Sequence, residues 1–582
     1  MAPIHTERLQ LLSLDPFARS VGREILAASK QKLCWVVLGL GLGNLLAGLV
    51  FSTADWLPTF VALDIVHANF ACALWLVVIH LGVQQPIAFS GPGLAAKTTA
   101  LAFVAGAMLT TAGIVASAYQ LWRGDAPVDW PLYVAGTYAN LGWCTLHLAM
   151  LAVAMRAIVG RRWPAIALTT AVWTATNLGF DHLLLRFGAR IGPASGMNGF
   201  GPFLVPMIAS GIHWTGFCIV LLAMGHGIAG RRCTKSSGTP RRPLGHNAFS
   251  LVWTAGVAWL VSGGWIVHQA KNHIRTDTQI GLADVPARDA PQPVYSRLAL
   301  DITISPLERV LVSRGNAIAV NRNDAPIPEL RFGIPPALQV DSLTLTGEPV
   351  GIDDPGGSGS RYLRYRLNRP LEPKETLKIE FVAKWIASDL ANTRADARLV
   401  GNGTFVSTVD VIPALGGGES WHSAPPVAFR ARIGTSLDQV ALTAGTLVRA
   451  WKENGWSFFE YESEVPIPPL TTIHSGHYAV ERDVCDEGTV EVFYHPPHRS
   501  NVDRMLYAGR TALSREGAAL GTDVLVRVVE VPDYRSFRRL GLLGLEKTRL
   551  PSEAATGMVV PYSERGYPLN TPPPTGSTPQ RA

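Results

Sequence analysis

The sequence predicts an α-helical membrane bundle of about seven transmembrane helices, followed by a mostly β extramembrane domain that contains a short strand–helix–strand unit. Three observations predict it. Apolar runs dominate the chain up to Gln269, although the average composition, 48% hydrophobic, is ordinary. Basic residues collect in alternate gaps between those runs. Beyond them, apolar residues recur with a period of two, the mark of strands with one buried face.

The runs span Leu33–Phe51, Pro58–Val83, Thr98–Trp122, Pro131–Met155, Pro164–Phe180, Pro202–Ile228 and Phe249–His268. Each is close to the ~20 apolar residues that cross a bilayer, and the fifth is the shortest. None reads as a signal peptide, because a polar, charged lead precedes the first and no small-residue cleavage site follows. Arg8, Arg19, Arg23, Lys30 and Lys32 precede the first run, Lys97 follows the second, and Arg156, Arg161 and Arg162 follow the fourth. Arg231, Arg232, Lys235, Arg241 and Arg242 separate the sixth from the seventh. The intervening loops carry Asp55, or Asp125 and Asp129 beside Arg123, and only the loop with Arg186 and Arg190 dissents. The positive-inside rule then places the N-terminus in the cytoplasm and everything after the seventh run outside. In a bacterium this is an inner-membrane protein with a periplasmic C-terminal domain. Without the fifth span the N-terminus flips, while the basic loop before the last run still sends the C-terminal domain outside.

The expected organisation is a cytoplasmic segment (1–32), the bundle (33–268), a linker (269–295), the β-rich domain (296–566) and a Pro/Thr-rich disordered tail (567–582). The formal charge of +7 forms no single patch, so nucleic acid is not an expected partner; the lipid bilayer is. Cys485 is the only cysteine after the last run, which excludes an internal disulfide or a thiolate zinc cage there.

In the C-terminal half, Leu377, Ile379, Phe381, Ala383 and Trp385 alternate with mostly polar partners, as do Leu363, Tyr365 and Leu367. Turn clusters such as Asp353–Ser360 separate the strands. Val490, Val492 and Tyr494 form a further strand, and Val502, Met505, Leu506, Leu513 and Leu520 suggest an amphipathic helix capped by Ser500 or Asn501. A second strand, Val524–Val531, follows.

Between that strand and helix stands YHPPHRSNVDRM, Tyr494–Met505. Its prolines argue against a helical pairing of His495 with His498, and no carboxylate lies near at ligand spacing. His474 and His477 complete a four-histidine set only if the fold happens to gather them. A metal site needs at least three convergent ligands, so the motif reads as a turn and no metal or other cofactor is expected.

YHPPHRSNVDRM, VRVVEVPDYRSF (Val526–Phe537) and VVPYSE (Val559–Glu564) resemble the segment leading into the catalytic domain of bacterial M1-family aminopeptidases, especially those fused to ABC-2-type permease segments. NGTFVSTVDVIPALG (Asn402–Gly416) is similar to the β-domain of such fusions, and NLGFDHLLLRFG (Asn177–Gly188) and MNGFGPFLVP (Met197–Pro206) to their last permease loops. PLEPKETLKIEF resembles their strand preceded by a proline turn. The resemblance implies a permease-like bundle carrying an M1-like β-domain. Zinc peptidases of this family need H-E-x-x-H, two histidines that bind zinc and a glutamate that activates its water. This sequence has none, and it ends about where the family's catalytic domain begins, so no catalytic or zinc residue carries over.

GPGLAAKTT (Gly91–Thr99) approaches the P-loop pattern, but Ala96 replaces the glycine before Lys97 and the stretch enters a membrane span. Any ATPase is therefore a separate subunit. Ionisable residues inside spans are costly and usually face the bundle interior, which singles out Asp64, His67, His147 and His213 as candidate intramembrane polar sites. The pairs His67/His80 and His213/His226 invite a membrane cytochrome b-like haem protein. Thirteen residues rotate about 220°, however, and set each pair on opposite faces. The leading reading is a permease-like component of a transport system working with a separate ATPase. The alternative is an anchor that docks a separately encoded M1 zinc aminopeptidase.

Overall fold

The computed structural model describes residues 16–52, 56–84, 91–178, 184–187, 192, 194–237, 246–274, 291–335, 338–349, 362–387, 398–416, 424–486, 488–517, 524–532 and 556–568. The turn Asp353–Ser360, Leu520 and tail residues 569–582 lie outside them. The chain forms two units. Unit 1 comprises residues 1–194 and 203–270; unit 2 comprises 195–202 and 271–582.

Unit 1 is helical: α1 (Pro16–Ser29), α2 (Lys32–Val50), α3 (Thr59–Gly82), α4 (Gly91–Arg123), α5 (Trp130–Val159), α6 (Arg162–Leu178), α7 (Leu204–Ser237) and α8 (His246–Ile274). Six of the described helices are long and apolar enough to cross a membrane: α2, α3, α4, α5, α7 and α8. The fifth expected span corresponds to α6, whose 17 residues reach only about 26 Å, short of the ~30 Å hydrocarbon core. A helix missing from the sequence reading is α1. Its Phe17, Val21 and Ile25, four residues apart, form a stripe that packs on Ala96 and Ala100 of α4.

Polar contacts gather one end of three helices. Thr59 Oγ1 at the start of α3 accepts from Asp129 N (2.9 Å), and Gln120 Oε1 near the end of α4 accepts from Tyr133 Oη (3.0 Å). Asp129 also caps α5 by accepting from Leu132 N. Helices α3 and α5 therefore start at the same end and run parallel, with α4 antiparallel to both. Residues Ala135–Gly142 of α5 are π-helical, a form that appears mostly as single-turn bulges and often at functional sites. At Gly136 any side chain would collide with Leu63 of α3, since an added Cβ would lie 2.5 Å from its Cδ1.

Unit 2 is built on an eight-stranded sheet ordered Thr446–Glu453, Trp456–Glu462, Ala428–Ser436, Val294–Ser305, Val310–Val320, Thr376–Ile386, Leu338–Leu345 and Glu348–Pro349. All neighbours are antiparallel except Val294–Ser305 with Ala428–Ser436. The alternation read in Thr376–Ile386 is observed: Leu377, Ile379, Phe381, Ala383 and Trp385 are all buried. One three-stranded sheet contains Val440–Thr443, Thr472–Gly476 and Thr404–Ser407. Another contains Tyr362–Leu371, Ile327–Gly333 and Ala414–Leu415.

The fifth-to-last strand begins a five-stranded sheet, Ala479–Cys485, Gly488–Tyr494, Val524–Val531, Thr556–Ser563 and Tyr567–Pro568. The expected strand–helix–strand unit is here. Gly488–Tyr494 and Val524–Val531 pair in parallel, and α9 (Val502–Gly517) makes the crossover, burying Val502, Met505 and Leu513. Gly509 lets α9 approach the sheet, because an added Cβ would lie 2.4 Å from Val490 Cγ1.

Arg527 is the buried cation of this sheet. It donates to Glu491 Oε2 (3.2 Å) and to the carbonyl of Gly445 (2.6 Å), with Tyr461 below its guanidinium. Arg527→Met should cost about 3 kcal/mol, since the partners of a buried ion pair are left behind. Arg430→Met, at an exposed pair with Glu460, should cost under about 1 kcal/mol. Denaturant unfolding of the two variants measures both, and equal losses would refute the assignment.

Candidate functional site

The stretch His495–Asn501 is where sequence and structure part. The two prolines do not break a helix; they start one. Pro496–Asn501 is a 3-10 turn with proline in its first positions, where the missing N–H costs nothing. Three residues per turn brings His495 and His498 together, with ring centroids 5.0 Å apart and nearly perpendicular.

The carboxylates that appeared to be missing arrive from distant strands. Glu530, fully buried in Val524–Val531, accepts from His495 N (2.7 Å), His498 Nδ1 (3.0 Å) and Asn501 Nδ2 (3.4 Å). Glu564, also fully buried, accepts through Oε2 from Ser195 Oγ (2.9 Å) and Met197 N (3.1 Å). Asn402 donates to Met197 O (2.8 Å) and accepts from His477 N (2.8 Å), and Met197 joins the core of the unit. Thus Ser195–Pro202, which connects α6 to α7 in the chain, is held inside unit 2 by a polar core. The Tyr478 hydroxyl and Asn501 Oδ1 are buried there without a hydrogen-bond partner among the described residues.

Burial drives the titration of this core. Desolvation pushes the Glu564 carboxyl up to about 7, and the nearby Glu530 adds to the rise, against the opposing pull of His498, Ser195 and Met197 N. Desolvation, then His498, pushes His495 down to about 4, while Glu530 opposes. His477 faces Asp438, with Nε2 2.8 Å from Oδ2, and this contact holds the Asp438 carboxyl below its usual range. His474 does not join the set. It is buried against Phe405 in a stacked contact, and Nε2 lies 3.0 Å from Thr472 Oγ1. Among the described residues, no three His, Cys, Asp or Glu side chains are arranged to hold a metal ion.

In unit 1, Asp64 is 4% exposed and His67 half-buried, one turn apart on α3. His147 on α5 and His213 on α7 are buried. His147 Nε2 lies 3.0 Å from Thr215 Oγ1, and His213 Nδ1 donates to Trp259 O (3.1 Å). Both sit among Trp143, Phe187, Trp214 and Trp259. The sequence reading missed Asn140 on the π-helical segment. It is 2% exposed, and neither atom of its amide has a partner among the described residues. Gly136 packs against Leu63, and α3 and α5 are parallel, so one turn further on Asn140 and His67 stand at the same level of the bundle.

No family model matches the chain, and no curated protein is similar to it. Among solved structures it is weakly similar to an M1 zinc metallopeptidase from Deinococcus radiodurans, with 15% identity, 42% of this chain, 57% of that chain and a TM-score of 0.31. A mutant two-domain M1 zinc metallopeptidase bound to L-arginine gives 15%, 41%, 57% and 0.30. Another bound to L-tryptophan gives 16%, 42%, 59% and 0.30. This chain therefore spans under two thirds of each of those proteins.

Glu564→Gln tests the buried carboxyl. Its folded value lies above the unfolded one, so the stability it contributes is full below about 4.5 and is lost as pH rises toward about 7. The glutamine variant lacks this loss. Relative to the native chain it should gain on the order of 3 kcal/mol between pH 4.5 and 8. Chemical denaturation across that range checks it, and a pH-independent difference would count against it.

Asp64→Leu and His67→Leu test the intramembrane pair. A carboxylate left unsupported in the bundle costs on the order of 3 kcal/mol, so His67→Leu should lower thermal stability more than the double replacement does. Negligible effects of all three variants on stability would mean the two residues are uncoupled.

Proposed function

We propose that this chain is a permease-like membrane component of a transport system, and that its extramembrane β-rich domain is an M1-aminopeptidase-like module without a catalytic centre of its own. The observation that carries the transport reading is the burial of Asp64, His147 and His213 inside apolar helices. Ionisable side chains are kept there mainly to line a substrate or ion path. The ordered motifs of the sequence support the M1-like assignment of the second domain, and the lack of H-E-x-x-H supports its non-catalytic role. Energy for transport comes, in this reading, from a separate ATPase subunit, because the P-loop-like stretch forms the start of α4 instead of following a strand.

A second reading, an anchor for a separately encoded M1 zinc aminopeptidase, is favoured by the edge strand Ala479–Cys485. Its Val480 and Val484 are exposed on a strand that, among the described residues, pairs on one side only, a surface suited to strand addition.

The reading places the β-domain in the periplasm of a bacterial inner-membrane protein with a cytoplasmic N-terminus. A periplasm-dependent reporter fused after Ala582 should be active and a cytoplasm-dependent one silent; the reverse would overturn the topology. Affinity isolation of the tagged chain from its own membranes should recover a P-loop ATPase. Recovery of a zinc peptidase in its place would select the second reading. Hydrolysis of aminoacyl-anilides by the purified chain alone would refute both.

A further inference from the structure

We propose that α1, α3 and α4 enclose a binding cavity for a phosphate group, supplied by an anionic phospholipid headgroup or as free phosphate. A small open pocket lies among these helices, lined by Glu24, Gln31, Gln84, Lys97 and the apolar Leu81 and Leu101. Lys97 is 3% exposed, and among the described residues it makes no hydrogen bond or ion pair. A buried ammonium with Glu24 as its acidic neighbour is costly, and a bound anion would offset that cost.

The surroundings are cationic. The charged neighbours of Lys97 are Glu24 and Arg156. Gln84 donates to Gln31 Oε1 (3.1 Å) and touches His80, which lies 3.5 Å from Arg162 Nη2. The Nε atoms of Arg156 and Arg162 are buried without partners among the described residues. Lys97 and Arg156 thus act against one carboxylate, Glu24. The cavity wall is otherwise apolar, and the amphipathic α1 packs across the start of α4 beside it. Basic pockets between membrane helices, on the side richer in Lys and Arg, recognise anionic headgroups in this way. The same chemistry explains the lysine of GPGLAAKTT, which serves no P-loop. The proposal rests on the helices being membrane-embedded, and not on the transport role.

The test uses the full chain, delipidated in neutral detergent, with thermal unfolding as readout. Phosphatidylglycerol is titrated against phosphatidylcholine, and sodium phosphate against sodium chloride at equal ionic strength. A saturable rise with phosphatidylglycerol alone, weakened at least tenfold in Lys97→Gln, supports a lipid headgroup. The same rise and weakening with inorganic phosphate supports a free anion. Removing a costly buried charge should leave Lys97→Gln folded; if it does not fold, Glu24→Gln decides, and tighter binding supports the site while unchanged or weaker binding overturns it. No effect of either anion, or an equal effect in Lys97→Gln and the native chain, overturns the proposal.

Discussion

Three donors converge on one fully buried carboxylate, Glu530, and the candidate site of unit 2 depends on that convergence. A carboxyl group removed from water must find its partners in the protein. Glu530 finds a backbone N–H, an imidazole and an amide within the single turn His495–Asn501. That turn therefore cannot shift without leaving the group unsatisfied, and α9 starts from its end. The direction of the crossover helix, and the parallel pairing of Gly488–Tyr494 with Val524–Val531, follow from a turn fixed in this way. Glu564, from the next strand, extends the same polar core to Ser195 and Met197.

The membrane half faces the same constraint with a different outcome. In unit 2 the buried carboxylates Glu530 and Glu564 are satisfied through long-range contacts, whereas in unit 1 the buried amide of Asn140 has no partner among the described residues. Thr59, Gln120 and Tyr133 close a network at one helix end. Asn140 and Lys97, by contrast, are buried with no such network among the described residues. In a low-dielectric bundle an open amide or ammonium is a cost that helix packing alone does not require. Unsatisfied groups of this kind separate places where something passes or binds from those that only hold the fold.

Much of this was legible in the sequence. Six of seven apolar runs became helices of membrane-spanning length, because ~20 consecutive apolar residues have few other uses. The alternation in Leu377–Trp385 read as a half-buried strand and is one. What stayed hidden has physical reasons. The five-residue stretch around Glu530 is apolar apart from the glutamate itself, and a lone carboxylate in VVEV was the available signal that something must face it. Its partner could not be found by spacing, since 32 residues separate Glu530 from His498. The prolines of YHPPH suggested a break because proline opposes α-helix interiors, but at the first positions of a 3-10 turn that objection lapses. The π-helical segment has no periodicity of its own, so neither it nor Asn140 could be read.

The two glutamates also show how one environment assigns different duties to like groups. Glu530 meets three donors, two of them from the turn's own histidines. Glu564 accepts from Ser195 and Met197 through Oε2 and is held beside Glu530 in a fully buried position, where two negative charges cannot be accommodated equally well. Keeping a proton on Glu564 relieves that repulsion and still lets Oε2 accept from Ser195 and Met197. With its value near 7, the proton is retained in mildly acidic conditions and lost in mildly alkaline ones. Losing it places a second charge next to Glu530, and the groups that must then absorb the repulsion include the backbone of Met197. The hold on Ser195–Pro202 is thus set by the balance between desolvation, which favours the proton, and two hydrogen bonds, which favour its loss.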